Sequence, residues 1–258
     1  MKCWRENNLK NKIAIITGSS GDIGSSIVEQ YLKDDFYVVG IDKKQMNEVS
    51  NKNFIHIKEN LIQLTLGDNE AKRLINQITD NMPSKTDELV IVNNAAVQIV
   101  KSADDLTAED WNESFGVNMI APFILIKTII NQIAFNDCQI INIGSIHSNL
   151  TKSCFVSYAV SKSALEALTR SYAIELADRG ITINAISPAA ISTRMLQDGF
   201  SDKSKVKELE SYHPTNSIGN TEDLSRFVKS ITDQKDSFLT GSIIEYTGGI
   251  GSRLHDPS

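Results

Sequence analysis

Short runs of consecutive apolar residues alternate along the chain with longer stretches in which apolar positions recur every three or four residues. The runs lie at 13–16, 37–41, 54–57, 89–92, 139–143, 181–186 and 242–246, and most are β-branched. Apolar side chains on successive positions suit a strand covered on both faces, because neighbouring side chains point to opposite sides of a sheet. The amphipathic stretches between them, 23–33, 70–81, 108–135, 157–179 and 221–232, predict helices. Such alternation implies parallel strands joined by right-handed crossovers, with helices on both faces. The pattern therefore predicts an α/β fold built on one doubly wound parallel sheet of about seven strands.

Nothing in the pattern divides the chain, which has no Pro/Gly/Ser linker, repeat or low-complexity tract, so residues 1–258 are expected to form a single domain. The least patterned part is 195–220, which is polar and follows the sixth strand directly. Ligands of such sheets bind beyond the carboxyl ends of the strands, so this segment is expected to be a lid over a substrate pocket. The alternative is a solvated helix and loop.

Two sets of residues carry candidate chemistry. Thr17-Gly18-Ser19-Ser20-Gly21-Asp22-Ile23-Gly24 joins the first strand to the first helix. Glycines there permit a tight turn and close backbone approach to a pyrophosphate held at a helix N-terminus, a Rossmann-type arrangement. Asp42 ends the second strand, 18 residues after Gly24. A carboxylate there accepts hydrogen bonds from ribose hydroxyls and repels a 2′-phosphate, which selects NAD; Lys43 and Lys44 leave NADP as the alternative. Further on, Tyr158-Ala159-Val160-Ser161-Lys162 opens a long helical pattern that puts the phenol and the ammonium on one face. A nearby cation favours phenolate, so Tyr158 is expected to ionise below its usual range and to act as an acid or base. Ser145 lies 13 residues earlier, at the carboxyl edge of the fifth strand, where its hydroxyl can hold a carbonyl oxygen beside the phenol.

Composition narrows the partners. Asp and Glu outnumber Lys and Arg by 32 to 26, a balance that argues against a nucleic-acid binder. Cys3, Cys138 and Cys154 are too few and too scattered for a disulfide framework or a metal site, and they suit a reducing cytoplasm. The stretch 1–12 is polar and reads as no secretory signal. The most apolar stretch, 119–135, is interrupted by Lys127, Asn131 and Gln132, so it reads as a buried helix and no membrane partner is expected. The helical patterns carrying Ile124, Leu125, Ile129, Ile130 and Ile133, and Leu165, Leu168, Tyr172, Ala173 and Leu176, are apolar beyond one stripe. A second covered face predicts an oligomer.

Taken together, these residues resemble the short-chain dehydrogenase/reductase family, single-domain branch, from about Lys12 to Gly249. The Gly-rich turn, Asn93-Asn94-Ala95-Ala96, Asn118, Ser145, Tyr158 with Lys162, Pro188-Ala189-Ala190-Ile191-Ser192-Thr193, Thr240-Gly241 and Gly248-Gly249 stand in the family's order. The resemblance implies an oxidoreductase that interconverts a secondary alcohol and a ketone, working as a homodimer or homotetramer. Tyr158 would be the general acid or base and would touch both cofactor and substrate, Lys162 would lower its pKa and bind the nicotinamide ribose, and Ser145 would contact the substrate and orient its carbonyl. Asn118 would hold a water linking Lys162 to solvent. Gly18, Ser20, Asp22, Ile23 and Gly24 would line the pyrophosphate site, Asn60 and Leu61 the adenine, Asn94, Ala95 and Ala96 the adenosine, and Ile191 and Thr193 the carboxamide. His147 and Met195 are candidate substrate contacts.

The departures from the family pattern set further expectations. Asp22 stands where the family usually has glycine, and its charge should weaken pyrophosphate binding unless the side chain turns to solvent. The resulting Gly-x-x-Gly-x-x-Gly spacing looks like the family's longer branch, so a nucleotide-sugar epimerase or dehydratase holding NAD tightly is an alternative; that branch needs a C-terminal substrate domain, for which about 65 residues after Thr193 are too few. A cofactor-sensing protein without turnover is the other alternative. It has no need of Ser145, Tyr158 and Lys162 together.

Overall fold

A computed structural model of the chain describes residues 11–46, 49–198, 203–234 and 236–253, with only the backbone at 195, 198 and 203. Seven parallel strands form one sheet: β1 (Lys12–Thr17), β2 (Tyr37–Asp42), β3 (Phe54–Lys58), β4 (Glu88–Asn93), β5 (Asp137–Ile143), β6 (Ile181–Pro188) and β7 (Ile243–Tyr246). Their order across the sheet is β3-β2-β1-β4-β5-β6-β7. The order reverses between β1 and β4, and the register pairs Ile16 with Val92, so the turns after these two strands emerge side by side. A crevice at such a reversal is where ligands of open α/β sheets bind.

The period-two pattern divides the core between the two faces. Ile13, Ile15, Leu89, Ile91, Ile140 and Ile183 pack against α2 (Asp68–Asp80), α4 (Ala121–Gln132) and α5 (Val156–Leu176). Ala14, Ile16, Val90, Val92 and Ile141 pack against α1 (Asp22–Lys33) and α8 (Thr221–Thr232). Double coverage holds for the inner strands and fails at the edges, where β3 and β7 are only partly buried. An edge strand has one neighbour and partial helix cover.

The predicted helix 108–135 is interrupted. Thr107 and Asp110 form a reciprocal capping box that starts α3 (Ala108–Phe115), and a π-helical turn (Gly116–Ile120) joins it to α4. Together they form a helix of 25 residues, long and apolar enough to cross a membrane, yet 56% of its apolar window is buried inside the protein. The helix ends at Gln132 because Ile133 turns extended and enters the core. Within the segment 195–220 the chain forms α6 (Arg194–Asp198) and α7 (Lys203–Tyr212), which periodicity did not resolve.

Candidate active site

The Gly-rich turn is shaped by two of its glycines. Gly18 has φ +68°, and a Cβ there would lie 2.8 Å from the Ala95 Cα. A Cβ on Gly24 would lie 2.0 Å from the Gly18 carbonyl oxygen. Position 22 carries an Asp side chain and is not among the residues with positive φ. The turn is fastened to the next one by Thr17, which the sequence pattern placed at the start of the turn without a role of its own: its Oγ1 accepts from the backbone N–H of Asn94 at 3.0 Å and of Ala95 at 3.1 Å. The Asn94 side chain donates back to the carbonyls of Thr17 and Gly18. A Thr-Gly pair after a strand was the available signal.

Gly21 begins α1 without any side-chain cap, unlike Thr107 before α3 or Asn220 before α8. An uncapped N-terminus beside a tight Gly turn fits a diphosphate, which the exposed N–H groups and the helix dipole favour. Asp42 stands at the far side of this turn, its two oxygens accepting from the backbone N–H of Ser20 at 3.0 Å and of Lys44 at 2.8 Å. Asn60 is exposed and its Oδ1 caps a 3-10 turn (Leu61–Leu66) by accepting from the Ile62 N–H at 3.4 Å, while the Leu61 side chain is buried in the core. Ala96 is exposed beside this turn.

Asp22 is partly exposed but does not stand alone in solvent. It pairs with Arg194, which weakens the expectation that its charge would simply oppose a pyrophosphate. The Arg194 guanidinium holds the Asp22 carboxyl below the usual carboxylate range. Ile191 is buried and bridges to Gly219, and Thr193 caps α6 by accepting from the Leu196 N–H at 3.2 Å. The Met195 side chain lies outside the described residues.

The chemical end is assembled from β5 and α5. Ser145 caps a short 3-10 turn (Ile146–Ser148) and is buried; its side chain pairs with the Tyr158 hydroxyl from the first turns of α5. Lys162 lies one turn on and is 2% exposed, with Nζ 5.9 Å from the Tyr158 ring centroid. Its ammonium donates to the Ile143 carbonyl at 2.7 Å. His147 stands at the mouth, stacked on Phe155 and edge-on to Tyr158 at 5.7 Å. His213 is not part of this group: it is buried, with Nδ1 on the Leu209 carbonyl. Asn118 sits in the π-helical turn, its Oδ1 accepting from the Val97 N–H at 2.7 Å and its Nδ2 donating to the Val97 carbonyl and Ser161 Oγ. The side chain thus fastens the loop after β4 to α5, and a π-turn is a frequent way to reshape a helix at a functional site.

The expectation that Lys162 pulls the Tyr158 pKa down is corrected. Burial raises the Tyr158 phenol above its ordinary value, and the Ser145 hydrogen bond offsets only part of that. The Lys162 ammonium is directed at the Ile143 carbonyl, and only the Ser145 hydrogen bond acts to lower the phenol.

Burial pushes Lys162 down to about 8, against an opposing pull from the Glu166 charge. Below that pH the folded and unfolded chains both carry the proton, and the burial penalty is felt in full. As pH rises from about 8 towards the ordinary lysine value, the unfolded chain binds more protons than the folded one, so stability rises. The expected gain is up to about 3 kcal/mol. Lys162→Met abolishes it, as urea midpoints of both proteins across this pH range will show.

A Gly-rich turn at an uncapped helix N-terminus, a carboxylate at the end of β2 and a Ser–Tyr–Lys group at the same sheet edge define an NAD(P)-dependent oxidoreductase. Residues 12–204 match the family model for short chain dehydrogenases, and the chain belongs to the short-chain dehydrogenase/reductase family. It is 27% identical over 252 residues to glucose 1-dehydrogenase 2 of Bacillus subtilis (strain 168), covering 94% of this chain and 96% of that protein. The fold matches that of 4-hydroxyisoleucine dehydrogenase complexed with NADH at a TM-score of 0.84 and 23% identity, over 95% of this chain and all of the other. It matches ElxO with NADP bound at 0.81 and 24%, over 94% of this chain and all of the other. The C-terminal domain that a nucleotide-sugar enzyme needs is absent among the described residues, where the chain after Thr193 is spent on α6, α7, α8 and β7.

Proposed function

We propose that the chain interconverts a secondary alcohol and a ketone, with NAD as its dinucleotide. The observation that carries this reading is the pairing of Tyr158 with Ser145 above a buried Lys162, at the sheet edge where the Gly-rich turn also opens. Bound there, the dinucleotide supplies a hydride acceptor or donor at its nicotinamide ring. Ser145 orients the substrate oxygen, and Tyr158 gives or takes its proton at the phenol oxygen. A phenol held above its ordinary range stays protonated near neutrality, which suits donation to a carbonyl. Lys162 supplies positive charge for the nicotinamide ribose, and Asn118 holds the water that connects it to solvent.

Gly18, Ser20, Ile23 and Gly24 hold the diphosphate, Asp42 the adenosine ribose, Asn60 and Leu61 the adenine through their turn, Asn94, Ala95 and Ala96 the adenosine, and Ile191 and Thr193 the carboxamide. A carboxylate already held by two N–H groups at Asp42 supports NAD over NADP. NADH in one structural relative and NADP in another keep both dinucleotides within the fold's range. That the relatives include a glucose dehydrogenase and a 4-hydroxyisoleucine dehydrogenase supports a small hydroxylated molecule as substrate. Residues 195–220 act as its lid, with His147 and Met195 as contacts. Ile174, Val160 and Phe123 on α4 and α5 are 80%, 43% and 39% exposed, which supports a second copy packing there in a homodimer or homotetramer. Free Cys138 and Cys154 suit the cytoplasm.

A fluorescence titration with NADH and NADPH tests the cofactor. The expected result is NADH binding at least about tenfold tighter, or about 1.4 kcal/mol, followed by turnover of an alcohol from a panel supplied with NAD⁺. Tighter NADPH binding overturns the assignment of Asp42.

A further inference from the structure

Position 22 is where this chain departs from its family inside the phosphate turn. The backbone there holds an Asp side chain without a positive φ, in contrast to Gly18 at φ +68° and to Gly24, where a Cβ would lie 2.0 Å from the Gly18 carbonyl oxygen. The residue placed there is an anion, one position from Ile23 and two from Gly24, in the turn assigned to a doubly charged diphosphate. An unneutralised carboxylate beside that group costs affinity through like-charge repulsion.

Arg194 takes up both oxygens of this carboxylate. Its Nε lies 2.7 Å and a terminal guanidinium nitrogen 2.6 Å from Oδ1, and its backbone N–H donates to Oδ2 at 2.6 Å. The two residues are 172 apart in sequence. Arg194 directly follows Thr193 and is the first residue of α6, so the same contacts join the phosphate turn to the base of the segment assigned as a lid. A solvent-open polar groove of about 310 Å³ runs along the pair between α1, α6 and the start of α8. Its other charged lining residues are Glu29 and Glu222, so Arg194 is the one cation among the residues that line it.

We propose that Arg194 is a positioning residue for dinucleotide binding that acts through Asp22: it cancels the anion carried in the phosphate turn and ties α6 to that turn. The inference rests on the reading of 18–24 as the phosphate site. The arrangement replaces a neutral glycine with a matched charge pair whose two halves come from the phosphate turn and from the start of α6.

The test is NADH affinity, read by fluorescence at low and high salt, in the wild-type chain, R194A, R194K and the double variant D22G/R194A. R194A should bind about tenfold more weakly at low salt, because it exposes the Asp22 charge. Salt should shrink that loss, since the groove is open to solvent and screening acts there. R194K should recover part of the loss by restoring charge without the fork. D22G/R194A should bind more tightly than R194A, a recovery that a merely structural role of Arg194 does not produce. An R194A variant as tight as wild type overturns the inference, as does a double variant no tighter than R194A. Failure of the wild-type chain to bind NADH overturns the cofactor reading, and the inference with it.

Discussion

Tyr158→Phe should leave NADH affinity intact and reduce turnover about 10²- to 10⁴-fold, the usual contribution of a positioned general acid or base. The substitution removes one oxygen. The ring keeps its edge-on contacts with His147 and with Phe155 at 6.2 Å, so the wall of the pocket survives. Ser145 is left without its partner on α5 but keeps the His147 N–H at 3.2 Å, so it does not become an orphaned buried hydroxyl. The measurement is the rate of NAD⁺ reduction with whichever alcohol the wild-type protein oxidises, alongside the NADH titration. Turnover within tenfold of wild type would remove Tyr158 from the proton-transfer role. Binding with no turnover in the variant, set against turnover in the wild type, also disposes of the sensor reading.

Gly18→Ala should cost about 3 kcal/mol of stability and at least a hundredfold in NADH affinity. Two separate effects add. The residue sits at φ +68°, where a side chain costs about 1–2 kcal/mol. Its Cβ would also lie 2.8 Å from the Ala95 Cα and 2.9 Å from the Ala95 nitrogen, and backbone atoms have no rotamer to escape into. Relief requires the turns after β1 and β4 to part. That movement breaks the bonds from Thr17 to Asn94 and Ala95 and the pairing of Gly18 N–H with the Ile41 carbonyl at 2.8 Å. Parting those turns opens the crevice at the reversal point of the sheet, so binding falls along with stability. Urea midpoints and NADH titrations measure the two effects. A variant that binds NADH as well as wild type would show that the turn does not hold the diphosphate.

The architecture was legible because its signal is local and repeated. Seven apolar runs map onto seven strands, and α8 falls on the predicted 221–232. The two places where helix prediction went astray share a cause. The break at 116–120 leaves the apolar period almost unchanged, so periodicity does not report it. In 194–212, short polar helices lack an apolar stripe strong enough to read. Tyr158, Lys162 and Ser145 were visible because one helical turn and one strand end define their positions.

The sequence by itself determined the alternation that makes a doubly wound sheet, the glycines of the phosphate turn, the Asp42 carboxylate at the end of β2 and the Tyr158–Lys162 spacing on α5. These follow from residue type and separations of a few positions, over which backbone geometry is nearly fixed. Only the tertiary structure decided how those groups are charged and partnered. It buried Lys162 and aimed it at Ile143, which leaves the Tyr158 phenol raised where spacing alone suggested it would fall. It also brought Arg194 across 172 residues to Asp22. Burial and long-range pairing depend on which surfaces the folded chain closes over, and no local period in the sequence encodes that.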